Sequence, residues 1–143
     1  MQSWLIFALL SAVMAALVSI FGKIGLSGVD PNTATAVRSI IMALFLVGVV
    51  FFEGKLAYVG EIISNKKALT FIILSGIAGA LSWLFYFLAL KDGKVAQVGP
   101  IDKLSVVIAV ALAFIFLGEK VSLIALVGIG LIAVGTLLIA FFS

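Results

Sequence analysis

The sequence contains no cysteine and no histidine. Disulfides, thiolate or imidazole metal ligation, and cysteine or histidine catalysis are therefore excluded, and neither a metal site nor a cofactor is expected. Charge is scarce as well: aspartate, glutamate, lysine and arginine make up 10% of the chain, against about 25% in ordinary soluble domains. The net charge of +3 comes from basic residues scattered between apolar runs, which form no stripe for nucleic acid. Basic loops of a membrane protein are the plain reading. The 143 residues leave room for one domain, residues 1–143, with no soluble domain between the apolar runs. What fills the chain is apolar: 65% hydrophobic residues and a mean hydropathy of +1.44.

A membrane-spanning helix needs about 20 apolar residues. Five runs qualify: Ser3 to Phe21, Pro31 to Phe52, Leu69 to Leu90, Val95 to Leu117 and Ser122 to Phe142. They predict an all-α membrane protein with five transmembrane helices and its termini on opposite faces. The first run has no basic segment ahead of it and ends in Phe21-Gly22-Lys23 rather than a small-residue cleavage site. A retained helix is expected there, not a signal peptide. The short connections Lys23 to Asp30 and Gly118-Glu119-Lys120 predict antiparallel hairpins. The longest connection, Glu53 to Lys67, reads as solvated. Its Leu56, Val59, Ile62 and Ile63 stand at roughly helical spacing, so an interfacial amphipathic turn or helix is the alternative.

Polar residues inside the runs are few, and each is a candidate for function because a charge at membrane depth costs about 2.5 to 3.5 kcal/mol on insertion scales. The stretch Gln97 to Ser105 holds most of them. Pro100 cannot donate to the carbonyl of Ala96, and Gly99 beside it lowers helical stiffness, so the start of the fourth span is expected to kink or partly unwind. Asp102 and Lys103 are adjacent and point about 100° apart. They are expected to act as two differently directed groups rather than one ion pair. Asp102 suits a structural pair with Arg38 or a lysine, or a proton or cation site.

Arg38 lies about 10 Å into the second span by the helical rise, on one face with Thr35, Ser39 and Met42. It either snorkels or pairs with a neighbouring helix, or else contacts an anion or a water-filled cavity. Trp83 and Tyr86, three apart in the third span, read either as an interfacial aromatic belt or as the wall of a binding cavity. The candidate set for substrate or proton binding is thus Asp102, Arg38, Trp83, Tyr86, Lys103, Ser105 and Gln97, with Gly99 and Pro100 as the hinge. Ser75 with Gly79, and Gly76 with Ala80, form small-xxx-small pairs that let a backbone approach closely. The fifth span, with Gly128, Gly130 and Gly135 but no charge, reads as packing or dimer surface without a chemical role.

Basic residues divide almost evenly between the two membrane faces. Lys55, Lys66, Lys67 and Lys120 lie on the N-terminal side; Lys23, Lys91 and Lys94, with Arg38 and Lys103 near the same boundary, lie on the other. The positive-inside rule then gives almost no orientation. Copies inserted both ways round would generate an inverted-topology pair, so an antiparallel homodimer is expected in the bilayer.

Three pieces of sequence carry a resemblance: Lys23-Ile24-Gly25-Leu26 followed by Asp30-Pro31 and Arg38; Ala89-Leu90-Lys91-Asp92-Gly93-Lys94-Val95-Ala96; and Phe116-Leu117-Gly118-Glu119-Lys120. In their order and spacing the chain resembles the EamA domain of the drug/metabolite transporter superfamily, whose repeat has five helices and about this length. Members usually carry two inverted repeats and transport by alternating access; this chain resembles the short, single-repeat members, down to Pro100-Ile101-Asp102-Lys103-Leu104-Ser105. Where many members have Leu-Ser-Pro it has Leu104-Ser105-Val106, which removes the basis for a second kink. It also lacks the first-helix glutamate of the small multidrug-resistance transporters, leaving Asp102 as the only embedded carboxylate. The resemblance implies a secondary transporter of the plasma (inner) membrane, exporting a small metabolite or organic cation. A lipid-linked sugar flippase subunit and a non-transporting assembly partner are the alternatives. No nucleophile and base pair supports an enzyme.

Overall fold

The computed structural model describes residues 3–142. Their elements are α1 (Ser3–Gly25), α2 (Pro31–Phe52), α3 (Ala57–Ser64), α4 (Lys66–Asp92), α5 (Val95–Asp102), α6 (Leu104–Leu112), a π-helical turn (Ala113–Leu117) and α7 (Leu123–Phe142). Five stretches are long and apolar enough to cross a membrane: α1, α2, α4, the run Val95–Leu117, and α7. The expected five-span, all-α membrane protein is the one observed.

Local chemistry sets the helix ends. At the start of α2 the Asp30 carboxylate accepts from the Thr33 backbone N–H at 2.8 Å and from its hydroxyl at 2.9 Å. Pro31 follows in the first helical position, where a missing N–H costs nothing. The Thr33 backbone bond, seconded by the hydroxyl, holds the Asp30 carboxyl below the usual carboxylate value, because the charged form is the better acceptor.

The connection after α2 is helical over α3 rather than an irregular loop. Its apolar residues recur three or four apart, and Val59, Ile62 and Ile63 stay exposed, the pattern of a helix lying in the membrane interface. Asn65 then ends α3 and begins α4: its side-chain oxygen accepts from Ala68 N–H at 3.1 Å. That cap moves the helix start to Lys66, ahead of the expected Leu69. At the far end of α4 the carbonyls of Leu90 and Lys91 accept from Lys23 Nζ, at 2.5 and 3.3 Å. A cation there satisfies terminal carbonyls and complements the negative end of the helix dipole.

The fourth span breaks, but not where Gly99 and Pro100 suggest. Helix α5 runs through both, and the interruption falls at Lys103. The first turn of α5 is closed by Lys94, whose carbonyl accepts from Gln97 N and Val98 N at 3.0 and 2.9 Å. Past the proline, Lys103 N bonds Pro100 O at 2.9 Å and Val106 N bonds Lys103 O at 3.0 Å, both tighter i to i−3 contacts. The strain of a proline in a helix is thus relieved downstream of it. From Leu104 to Leu112 the helix is unbroken, matching the absence of a second proline. The span closes on the π turn and on Gly118, whose φ of 66° is the left-handed conformation that glycine adopts without strain.

The chain divides into two compact units. One is Gly22–Lys91; the other joins the chain up to Phe21 to the chain from Asp92 onward. In the first, Leu26, Pro31, Thr35, Tyr86, Phe87 and Leu90 are buried; in the second, Thr136 is the one buried residue among those described. There, α5 and α6 both pack against α7. A methyl group on Gly22 would lie 2.9 Å from Phe87 Cε1. On Gly76, Gly79, Gly128 or Gly135 it would meet nothing within 4 Å among the described residues.

Candidate functional site

In the unit Gly22–Lys91, Arg38 projects from α2 and is half-buried. Its guanidinium carbon lies over the Trp83 ring, 3.9 Å from the centroid, and 5.3 Å from that of Phe87. The rings come from one face of α4, because residues three and four apart on a helix are neighbours. Trp83 stands edge-on to Tyr86 at 5.5 Å and 81°, and to Phe87 at 5.9 Å and 73°. Such T-shaped pairs contribute about 0.5–1.5 kcal/mol beyond the area they bury. The platform is fixed from beneath: Phe87 is 3% exposed and packs on the bare backbone of Gly22. The sequence reading named Trp83 and Tyr86 but passed over Phe87, although the i, i+4 step from Trp83 was the available signal.

The cation on the Trp83 face is thus the protein's own. A cationic ligand stacking on that face would have to displace Arg38. The hydroxyls expected alongside Arg38 are occupied: Thr35 donates to Pro31 O at 2.7 Å and Ser39 to Thr35 O at 2.8 Å. Arg38 itself has no carboxylate partner and donates to no protein acceptor among the described residues. Its positive charge is stacked but not neutralised.

The other unit carries Asp102 at the end of α5 and Lys103 at the break. Contrary to the expectation of two separately directed groups, they form an ion pair, Lys103 Nζ to Asp102 Oδ2 at 3.2 Å. The 100° argument concerns Cα–Cβ directions in a regular helix; here the turn tightens at Lys103, and the flexible four-carbon lysine stem folds back to the neighbouring carboxylate. Both side chains remain open, 35% and 55% exposed for Asp102 and Lys103. Where water reaches them, pairs this open contribute about 0–1 kcal/mol.

Other candidates take local positions. Gln97 accepts from the Lys94 N–H at 3.3 Å through its side-chain oxygen, capping α5. Ser105 sits exposed in the first turn of α6. Gly99 and Pro100 lie within α5, ahead of the break rather than at it. One residue had been assigned no role at all: Thr136 of α7, 4% exposed, donates through Oγ1 to Pro100 O at 3.3 Å. A lone hydroxyl inside an apolar, uncharged span was the signal. Thr136 ties the fifth span to the carbonyl from which the break begins.

Comparison with known proteins agrees with this architecture. A protein from a Sinorhizobium species, named as an uncharacterised transporter in the cobO 3′ region, is 40% identical over 141 residues, covering 99% of both chains. An uncharacterised protein of Methanocaldococcus jannaschii is 35% identical over 85 residues, 59% of this chain and 62% of its own. No solved structure matches the chain. The EamA-like transporter family matches residues 2–141, nearly the whole length, and together with the five apolar spans it makes this a multi-pass membrane protein. The chain belongs to the EamA-like transporter family.

Proposed function

We propose that the chain is a secondary transporter of the plasma (inner) membrane, in which two oppositely inserted copies form a ten-helix unit that moves a small metabolite by alternating access. The observation that carries this reading is the interrupted fourth span. It holds the only carboxylate in the interior of a span, Asp102, paired to Lys103 where the helix breaks. Backbone that leaves regular helix at membrane depth is tolerated where it borders protein or a water-filled path, and transporter sites are commonly built on such interruptions. An open carboxylate that exchanges a lysine for a proton or a cationic group is the simplest coupling element available. The even charge distribution between the two faces supports insertion both ways round.

Purified chain in proteoliposomes, screened by transport current against classes of small metabolites under an imposed pH gradient, tests the proposal. Current is expected for at least one class, and Asp102→Asn, still folded, loses its pH-driven part. Unchanged coupling in that variant removes Asp102 from the mechanism. Flux that appears only with a different membrane protein present overturns the homodimeric transporter in favour of an assembly subunit.

A further inference from the structure

We infer that Arg38, held on the Trp83 and Phe87 rings, is the receptor for an oxyanion, a carboxylate or phosphate group, on the transported molecule. The inference rests on the transporter reading above and specifies its substrate class. The argument begins with the guanidinium itself. It is planar, always charged, and carries five N–H donors in its plane, in a fork that matches carboxylate and phosphate oxygens. A guanidinium carbon 3.9 Å from the Trp83 centroid lies over the ring, a cation–π contact that takes up none of its N–H donors in a conventional hydrogen bond. The in-plane donors are left over, and none of them donates to a protein acceptor among the described residues.

The surroundings narrow the choice. Thr35 and Ser39, the hydroxyls nearest in register on α2, have their protons on helix carbonyls, so Arg38 is the donor set on this face. The aromatic platform is rigid, with Phe87 seated on Gly22 and Tyr86 buried against Trp83. A stacked guanidinium loses less freedom on forming a bidentate bond than a free one, and charge-assisted bidentate pairs are the stronger kind. The site therefore has a preorganised cation, an aromatic floor and no built-in counter-anion. It favours an anionic or zwitterionic metabolite over a simple organic cation.

Two sources of oxyanion are separable by experiment. The chain has two tryptophans, so a Trp4→Phe background leaves Trp83 as its sole tryptophan, read by excitation at the red edge where tyrosine does not absorb. Nanodiscs of phosphatidylcholine alone, and of phosphatidylcholine with phosphatidylglycerol, are titrated with benzoate, with inorganic phosphate, and with tetramethylammonium chloride as the cationic control. The expected result is a saturable change in Trp83 emission with benzoate or phosphate in phosphatidylcholine alone. Arg38→Lys, which keeps the charge but not the fork, should weaken it about tenfold or more, and Arg38→Gln should abolish it. Should Arg38→Gln fail to fold, Arg38→Lys decides. Affinity unchanged in Arg38→Lys, saturation by tetramethylammonium but not by the anions, or a response to phosphatidylglycerol only would each overturn the assignment. Binding here is read without flux. A chain that binds anions but moves no solute overturns the transporter reading alone, whereas one that transports with Arg38 irrelevant overturns this one alone.

Discussion

The two units treat charge in opposite ways. Between Gly22 and Lys91, six described residues are buried, Tyr86 and Phe87 of the aromatic platform among them, and the cation on that platform has no counter-ion among the described residues. In the unit that includes Asp92 onward, Thr136 alone is buried among the described residues, and the embedded charges sit together as an open Asp102–Lys103 pair at a helix break. Side-chain burial is what separates them; helix packing does not, since α5 and α6 both pack against α7. A buried aromatic floor can hold a guanidinium in one geometry, which is what recognition needs. An exposed ion pair at a helix break can exchange its partner, which is what a coupling site needs.

The largest mutational effect is expected in the unit that holds the buried aromatic platform. Gly22→Ala puts a methyl group 2.9 Å from Phe87 Cε1, and overpacking of this kind costs about 1–3 kcal/mol. A lower melting temperature in detergent is expected, together with a disturbed Trp83 emission. Combining it with Phe87→Leu should recover part of the loss, because the two residues touch and their effects are not additive. Strict additivity would show that Phe87 is not seated on Gly22.

A smaller effect is expected in the other unit. Thr136→Val removes one hydrogen bond, worth about 0.5–1.5 kcal/mol, and Pro100 O keeps Lys103 N as a partner. Stability should fall slightly while the pH dependence of transport shifts, since the break next to Asp102 loses its tie to α7. Thr136→Ser should restore both. A stability loss as large as that of Gly22→Ala would erase the distinction between the unit with the buried platform and the one with the exposed ion pair.

Much of this was legible in the sequence, for identifiable reasons. The five spans follow from apolar length, and Asp30-Pro31 announced the start of α2 because capping chemistry is local. The coming together of Arg38 with Trp83 was not legible, since both were named but nothing in the linear order says which faces of two helices meet. The Asp102–Lys103 pair was misjudged because a rule for regular helix was applied where the helix tightens. Thr136 was overlooked because its partner is a carbonyl 36 positions away in sequence. The stretch Glu53 to Lys67 showed its helical spacing plainly, but its charges argued for a solvated connection, and the apolar face of α3 prevailed.

The central claim is that one short chain supplies both halves of a transporter by inserting in two orientations, and the absence of cysteine makes it directly measurable. Ser27→Cys introduces a single thiol at an exposed turn position between α1 and α2. Labelled in intact, uniformly oriented membrane vesicles with a membrane-impermeant maleimide, and again after permeabilisation, it reports which side each copy presents. The expected result is a comparable fraction labelled in each step. Labelling confined to one step, showing a single orientation for every copy, would contradict the account.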